Sequence, residues 1–319
     1  MQFLRNNWFL AALVGSLFIG YQFADALYFA IEAKWFKWMV VSITMIAMTW
    51  PLQTSSLVDA VKHPMPAIIA SIINLLCAPL LAWPLSKLLN GDMGAGLILA
   101  AAVPSTLASA AVWTRKAGGN DSISMMVTII TNTVCFLVTP AWVFWLIEEE
   151  IAGFNISDSI VNLLLFLVIP MGLGQALRMV AGSANWATKN KPTFSLVAQF
   201  GVLVMVVLGS IKMAKSLDIE SSNLVVNQVL IVVVIVSGLH LVLFFAGIMA
   251  GRAIRQDTAN QIAIGFSASQ KTLMVGLSVA VSMGLNLIPI VAYHALQLII
   301  DTLIADRYLR KNQSDALEE

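Results

Sequence analysis

The sequence predicts an all-α integral membrane protein with ten transmembrane helices in two inverted five-helix repeats. Three observations lead there. Of the 319 residues, 59% are apolar and only 11% are charged, against roughly 25% charged in soluble domains; a soluble fold would lack the polar surface that must face water. Apolar runs of about the 20 residues that a spanning helix needs recur along the whole chain, and they are far longer than the roughly ten alternating residues of a barrel strand. Lys and Arg, finally, are shared unevenly between alternate connections.

The runs cover approximately 8–30, 37–55, 64–89, 94–114, 121–147, 157–181, 194–216, 224–250, 259–283 and 286–308. The first follows Arg5 and contains Ala24-Asp25-Ala26, as a signal peptide would, but its apolar stretch continues to Ala30 and is read as a retained span. No long hydrophilic segment intervenes, so 1–319 is expected to be one membrane domain, with a short solvated tail at 311–319. With the N-terminus inside, Arg5, Lys62, Arg115, Lys116, Arg178, Lys189, Lys191, Arg252, Arg255, Arg307, Arg310 and Lys311 fall on inner segments. Only Lys34, Lys37, Lys87, Lys212 and Lys215 fall on outer ones, and Lys271 lies within a span. This excess puts both termini in the cytoplasm, of a bacterial inner membrane or a eukaryotic equivalent, and an even number of spans agrees. The acidic connection 148–154, with Glu148, Glu149 and Glu150, divides the chain into repeats at 1–150 and 151–310. Five is odd, so the second half enters from the opposite side and the repeat must be inverted. Secondary transporters are commonly built this way, with interrupted helices at matching positions.

Composition also excludes. Lys and Arg total 18 against 17 Asp and Glu, which removes the concentrated positive charge that nucleic acid requires. Cys77 and Cys135 both lie in apolar runs and read as packing residues, with no metal-ligand spacing around them.

Two spans are interrupted by polar residues. In the fourth, the apolar run meets Val103-Pro104-Ser105-Thr106; proline removes a donor and clashes with the preceding turn, so the helix should open there. Ser105 and Ser109 would share a face. In the ninth, Ser267-Ala268-Ser269-Gln270-Lys271-Thr272 sits near mid-span and must face protein or water, because lipid satisfies no polar group. Lys271 is the most informative residue: an ammonium at that depth costs about 2.5–3.5 kcal/mol on insertion scales. It is either ion-paired, for instance with Asp301 or Asp25, or a fixed charge that meets an anionic substrate or replaces a transported cation. Polar stripes run along the fifth span (Ser124, Thr128, Asn132) and the tenth (His294, Gln297, Asp301), the corresponding spans of the two halves. Asn74 and His240 form a looser pair on the third and eighth. The candidate binding residues are therefore Asn74, Ser105, Thr106, Ser109, Ser124, Thr128, Asn132, Ser267, Ser269, Gln270, Lys271 and Thr272, with His240, His294 and Asp301 as secondary candidates.

The order and spacing of several motifs resemble the bile acid:sodium symporter family over nearly the whole chain. They are Lys62-His63-Pro64, Ala82-Trp83-Pro84-Leu85-Ser86-Lys87-Leu88-Leu89, Val103-Pro104-Ser105-Thr106-Leu107-Ala108-Ser109, Gly119-Asn120, Val138-Thr139-Pro140 and Tyr293-His294. The run Ser267-Ala268-Ser269-Gln270-Lys271-Thr272-Leu273 is similar to that of the SBF-like branch. The resemblance implies a panel domain (spans 1, 2, 6 and 7), a core domain (spans 3–5 and 8–10), discontinuous helices 4 and 9 that cross in the core, and transport by elevator or rocking movement. It implies Na+ ligands at Ser109, Ser124 and Thr128 for one site, and at Asn74 and Gln270 for another. Three positions depart from the family pattern: Ala110 and Lys271 where asparagines are expected, and Phe266 where a glutamate is expected. A lost carboxylate and a gained ammonium oppose a bound cation; at about 4 Å and an effective dielectric of 20 the repulsion is roughly 4 kcal/mol. The expectation is a carrier for a small organic anion that is not coupled to Na+ in the family's usual way, with Lys271 in place of the cation and no cofactor.

Two other classes are weighed. A membrane enzyme acting on lipid would need a nucleophile or metal cluster, and neither His-Glu-x-x-His nor Gly-x-Ser-x-Gly occurs. A channel or a regulator of ion homeostasis is the other; no ring of charged residues or filter-like loop suggests a pore.

Overall fold

The computed structural model describes residues 8–52, 62, 64–147, 155–216 and 222–318; Arg5, His63 and the acidic connection 148–154 lie outside them. Every regular element among the described residues is helical. The chain opens with α1 (Trp8–Gln22), α2 (Ala24–Leu27), α3 (Phe29–Glu32) and α4 (Lys34–Thr49). The first expected span is thus not one straight helix: the chain turns by 90° after Gln22. Beyond the turn lie Asp25 and Glu32 among exposed Tyr28 and Phe29, a mixture suited to the headgroup region, where aromatic rings anchor and carboxylates stay wet. The second span stops at Thr49 rather than near 55, because Pro51 has no N–H with which to continue the ladder.

Next come α5 (Met65–Ser86), α6 (Gly91–Ala102), α7 (Ser109–Lys116), α8 (Asp121–Ile147) and α9 (Ile156–Leu177). Both α5 and α9 carry a π-helical stretch, Ile73–Cys77 and Leu164–Val168, each followed two residues later by a proline, Pro79 and Pro170. Each proline deprives the carbonyl four residues back of its donor. Another helix supplies the substitute: the Trp142 indole donates to Leu75 O at 2.8 Å, and the Ser42 hydroxyl to Phe166 O at 3.3 Å.

The remainder is α10 (Ser183–Lys189), α11 (Lys191–Ser216), α12 (Ser222–Ala253), α13 (Thr258–Ser269), α14 (Leu273–Met283) and α15 (Ile288–Glu318). Asn155 and Asp257 cap α9 and α13 by accepting from backbone N–H groups of the first turn. The tail expected at 311–319 continues as helix through Glu318. Seven segments of the described residues are long and apolar enough to cross a membrane, counting α13 and α14 together; the bent pair at the N-terminus would make an eighth. The expected spans 2 and 4 correspond to the shorter apolar helices Trp35–Thr49 and Gly91–Ala102.

Two groups of helices emerge from the packing. Helices α1, α4, α9 and α11 pack together, and α5–α8 with α12, α13 and α15 form the other group, joined through contacts of α14 with α11 and of α8 with α9. Large apolar side chains such as Trp35, Phe29, Trp145, Val234 and Leu303 point outward, as lipid permits. Helices α12 and α13 approach closely at Gly247, where an added Cβ would lie 2.9 Å from both Gly265 Cα and Ile264 O. Gly247→Val is therefore expected to destabilise the protein by about 1–3 kcal/mol through forced separation of the two backbones. Gly15→Val meets open space and should change nothing; thermal unfolding in detergent compares the two.

Candidate functional site

The site is built from two broken helices. Between α6 and α7 the backbone leaves the α region at Val103 (φ −75°, ψ 155°), the direction in which the Pro104 ring biases the residue before it. Between α13 and α14, Gln270 and Thr272 are extended (ψ 142° and 129°) with no proline to force them. What holds this second break open is hydrogen bonding from outside the helix. The breaks touch one another, with Thr272 N–H donating to Pro104 O at 2.9 Å. The Gln297 side chain clamps Lys271 on both sides: Lys271 N–H donates to Oε1 at 2.8 Å and Nε2 donates to Lys271 O at 2.9 Å. The Tyr293 hydroxyl donates to Ser269 O at 2.8 Å. The Asn74 amide reaches the carbonyls of Ser267, Ala268 and Gln270 at 3.1, 3.2 and 2.9 Å.

Lys271 is 2% exposed. Its ammonium donates to Asn74 O, to Val103 O at 3.1 Å and to Asn74 Oδ1 at 3.3 Å. It has no carboxylate partner among the described residues, so of the two readings the sequence left open, the ion pair with Asp301 or Asp25 is not formed. Asp301 is engaged elsewhere: Oδ1 lies 2.8 Å from His240 Nε2, and Oδ2 accepts from Gln270 Nε2 at 2.6 Å. Gln270 Oε1 in turn accepts from Thr106 Oγ1 at 2.6 Å and from Ser109 Oγ at 2.7 Å.

A second, neighbouring network runs along α8. Ser124 Oγ lies 2.8 Å from Thr114 Oγ1 and 2.9 Å from Ser267 Oγ. Thr128 Oγ1 donates within reach of both Thr106 O and Ser124 O at 2.9 Å. Asn132 Nδ2 reaches Ser105 O at 2.9 Å, while Asn132 Oδ1 and Ser105 Oγ are buried without partners. Ser269 Oγ donates back to Gly265 O at 3.1 Å. His294 Nδ1 accepts from Gln297 at 2.9 Å. The expected residues thus gather around the two breaks, although Ser109 bonds to Gln270 and not to Ser124 or Thr128. Gln297, Tyr293, Thr114 and Thr131, the last accepting from Ser105 N–H at 3.3 Å, join these contacts and were not among the candidates. Gln297 carried a visible signal, since it lies on the polar stripe of His294 and Asp301; the others are ordinary helix residues until the breaks are placed beside them.

Beside the breaks lies a cavity of about 210 Å³. Thr106, Ser109, Thr272 and His294 line one side, and Phe9, Met48, Gln199 and Val202 of α1, α4 and α11 line the other. It therefore sits between the two groups of helices.

The surroundings of Asn74 and Gln270, one of the two Na+ sites that the resemblance implies, oppose a bound cation. The acceptors on Asn74 and Val103 are occupied by an ammonium, and Phe266, where the resemblance calls for a carboxylate, is fully buried against Phe244 with ring centroids 5.0 Å apart. A hard cation needs oxygen donors and tolerates neither neighbour.

Residues 7–310 match the model of the SBF-like CPA transporter family. An uncharacterized protein of Pseudomonas aeruginosa is 26% identical over 73% of this chain and 70% of its own. A protein of Arabidopsis thaliana named "Probable sodium/metabolite cotransporter BASS4, chloroplastic" is 26% identical over 70% of this chain, which spans about half (54%) of that longer relative. Sodium/bile acid cotransporter 7 of Mus musculus is 22% identical over 79% of this chain and 77% of its own.

Asn74 is the side chain with most backbone in its care. Asn74→Ala strips the amide from three buried carbonyls and one acceptor from the ammonium, and is expected to cost about 1–3 kcal/mol. The drop in unfolding temperature should exceed that of Ser86→Ala, whose hydroxyl bonds only within its own helix.

Proposed function

This chain belongs to the SBF-like CPA transporter family, and we infer from that membership and from the bound ammonium of Lys271 that it is a secondary carrier of a small organic anion, without sodium coupling. The observation that carries the reading is a buried Lys271 amine with three oxygen acceptors and no carboxylate partner among the described residues. Three acceptors around one nitrogen match the three donors of an ammonium, which places a positive charge in the core one residue from Thr272 on the cavity wall. In a medium of low dielectric such a charge attracts an anion strongly over several ångströms. With all three ammonium hydrogens used on backbone and amide oxygens, Lys271 acts as a tethered cation that replaces the transported one; the anion is met by the hydroxyl of Thr272, joined by those of Thr106 and Ser109 once they turn from Gln270 Oε1.

The chain crosses the membrane ten times in this reading, with both termini cytoplasmic; the bent N-terminal pair, the short α4 and the interrupted α6–α7 supply the crossings that are not single long helices. Helices 4 and 9 of the resemblance are α6–α7 and α13–α14. The cavity between the two helical groups supports alternating access in which α5–α8 and α12–α15 move against α1, α4, α9 and α11. The named relatives, cotransporters for sodium with bile acid or metabolite, support an organic solute, while Phe266 and Lys271 argue against sodium coupling in this chain.

Proteoliposomes offered radiolabelled 2-oxoglutarate, citrate, benzenesulfonate and taurocholate, in Na+ and in choline buffer, test this. Saturable uptake of at least one anion is expected, at initial rates equal within about twofold in the two buffers. Lys271→Ala should lower it at least tenfold, which is about 1.4 kcal/mol. Uptake that requires Na+, or that survives Lys271→Ala, refutes the assignment.

A further inference from the structure

The seam between the two groups of helices holds a second cavity at its other end. The cavity beside the breaks meets Met48 of α4, Val202 of α11 and Thr272 of α14. The second, of about 290 Å³, meets Lys37 and Trp38 of α4, Lys212 of α11 and Ser282 of α14, with Asn162 of α9 beside them. On each helix the two sets lie about ten residues apart, or roughly 15 Å at the rise of an α-helix. Between them Val41 and Met45 of α4, Met205 of α11 and Leu277 of α14 are fully buried in one apolar cluster. The two cavities are therefore separate chambers on one seam.

We propose that this second cavity is an entry site for the organic anion, whose carboxylate or sulfonate is bound by Lys37 and Lys212. The substrate class rests on the carrier reading above. No Asp or Glu lines the cavity among the described residues. Both amines converge on the C-terminal end of α14. Lys37 Nζ donates to Ser282 Oγ at 2.7 Å, and Lys212 Nζ donates to Val281 O at 2.8 Å and lies 3.5 Å from Ser282 O. The Ser282 hydroxyl spends its own hydrogen on Ser278 O at 2.6 Å, so toward Lys37 it accepts. Lys37 Nζ also sits 4.1 Å from the centre of the Trp38 ring, which is itself stacked on Phe166 at 4.6 Å. Two ammonium groups thus meet at one residue, held in place before any ligand arrives.

Their present partners are weaker than an anion. The carbonyls at a helix C-terminus amount to roughly half a negative charge, whereas a carboxylate or sulfonate brings a whole one and accepts charge-assisted hydrogen bonds. An anion in the cavity therefore draws both amines away from Val281 and Ser282. Those bonds tie α4 and α11 to α14 across the seam, and their loss loosens the seam at this end. The orientation inferred above puts this mouth outside, so arrival of the anion favours opening toward the chamber beside the breaks. A merely structural tie would hold the seam shut in the same way but would bring no anion to the lysines.

Labelling of the full protein in lipid nanodiscs with 4-sulfophenyl isothiocyanate separates the two. Its sulfonate probes the site, its isothiocyanate traps a nearby amine as a thiourea, and mass spectrometry identifies the lysine. Saturating benzenesulfonate should slow labelling of Lys37 or Lys212 by about tenfold or more, while exposed Lys87 reacts at an unchanged rate. Labelling of both site lysines that benzenesulfonate leaves unchanged overturns the proposal. In proteoliposomes, Lys37→Gln/Lys212→Gln should raise the half-saturation concentration for the carried anion by about tenfold or more, and Lys37→Arg/Lys212→Arg, which keeps the charge, should hold it within about threefold. An unchanged half-saturation concentration in the Gln variant, or an equal rise in both variants, also overturns it. Should the Gln variant not fold, protection in the wild type alone decides. Failure to carry any anion refutes the carrier reading instead, and leaves the labelling result to decide the binding site.

Discussion

Every backbone polar group that a broken helix releases inside a membrane must find a partner within the protein, and this requirement organises the molecule. Hydrocarbon offers no substitute, and each unmet group costs several kcal/mol. The breaks at 103–108 and 270–272 release such groups at one depth. Asn74 from α5, Gln297 and Tyr293 from α15, and the two breaks themselves, through Thr272 and Pro104, supply the partners. These bonds fix where α5 and α15 sit relative to the crossing point. The same rule explains the two π-helical stretches, where Trp142 and Ser42 answer carbonyls orphaned by Pro79 and Pro170.

The ammonium of Lys271 obeys that rule from the other direction. A helix break presents carbonyls with spare lone pairs, and a primary ammonium presents three donors. Val103 O and the Asn74 carbonyl and amide oxygens receive them. A charge that would be costly alone is thereby solvated by dipoles already in place. The carboxylate of Asp301 is left to His240 and Gln270, so the two opposite charges of the core occupy separate networks. A direct Lys271–Asp301 pair would instead be self-neutralising.

Much of this was legible in the residues. Pro104 announced the first break through its missing N–H, and five polar residues in six announced the second. The stripe Ser124, Thr128, Asn132 marked a buried face of α8, and all three are buried there. Less legible were the helix ends. Apolarity alone ran the first span through to residue 30, whereas the turn after Gln22 follows from where Asp25 and Glu32 can reach water. Helix α15 outlasts the apolar run because charged residues with good helix propensity, such as Asp306, Arg307 and Arg310, continue a helix as readily outside the lipid.

By itself the sequence determined the solvent of this protein, the membrane, and the positions at which its helices must open, because hydropathy and proline chemistry act locally. It also determined that a positive charge lies inside a span. It left open which oxygens that charge meets, because an ammonium on a broken helix can turn toward a carboxylate, a substrate or a carbonyl with equal local ease. Only the tertiary structure decided it, by bringing Asn74 and Val103 from elements about 200 and 170 residues distant in sequence to Lys271, and by committing Asp301 to His240. Partner choice among buried polar groups is set by which helices abut, and that is a property of the packed whole.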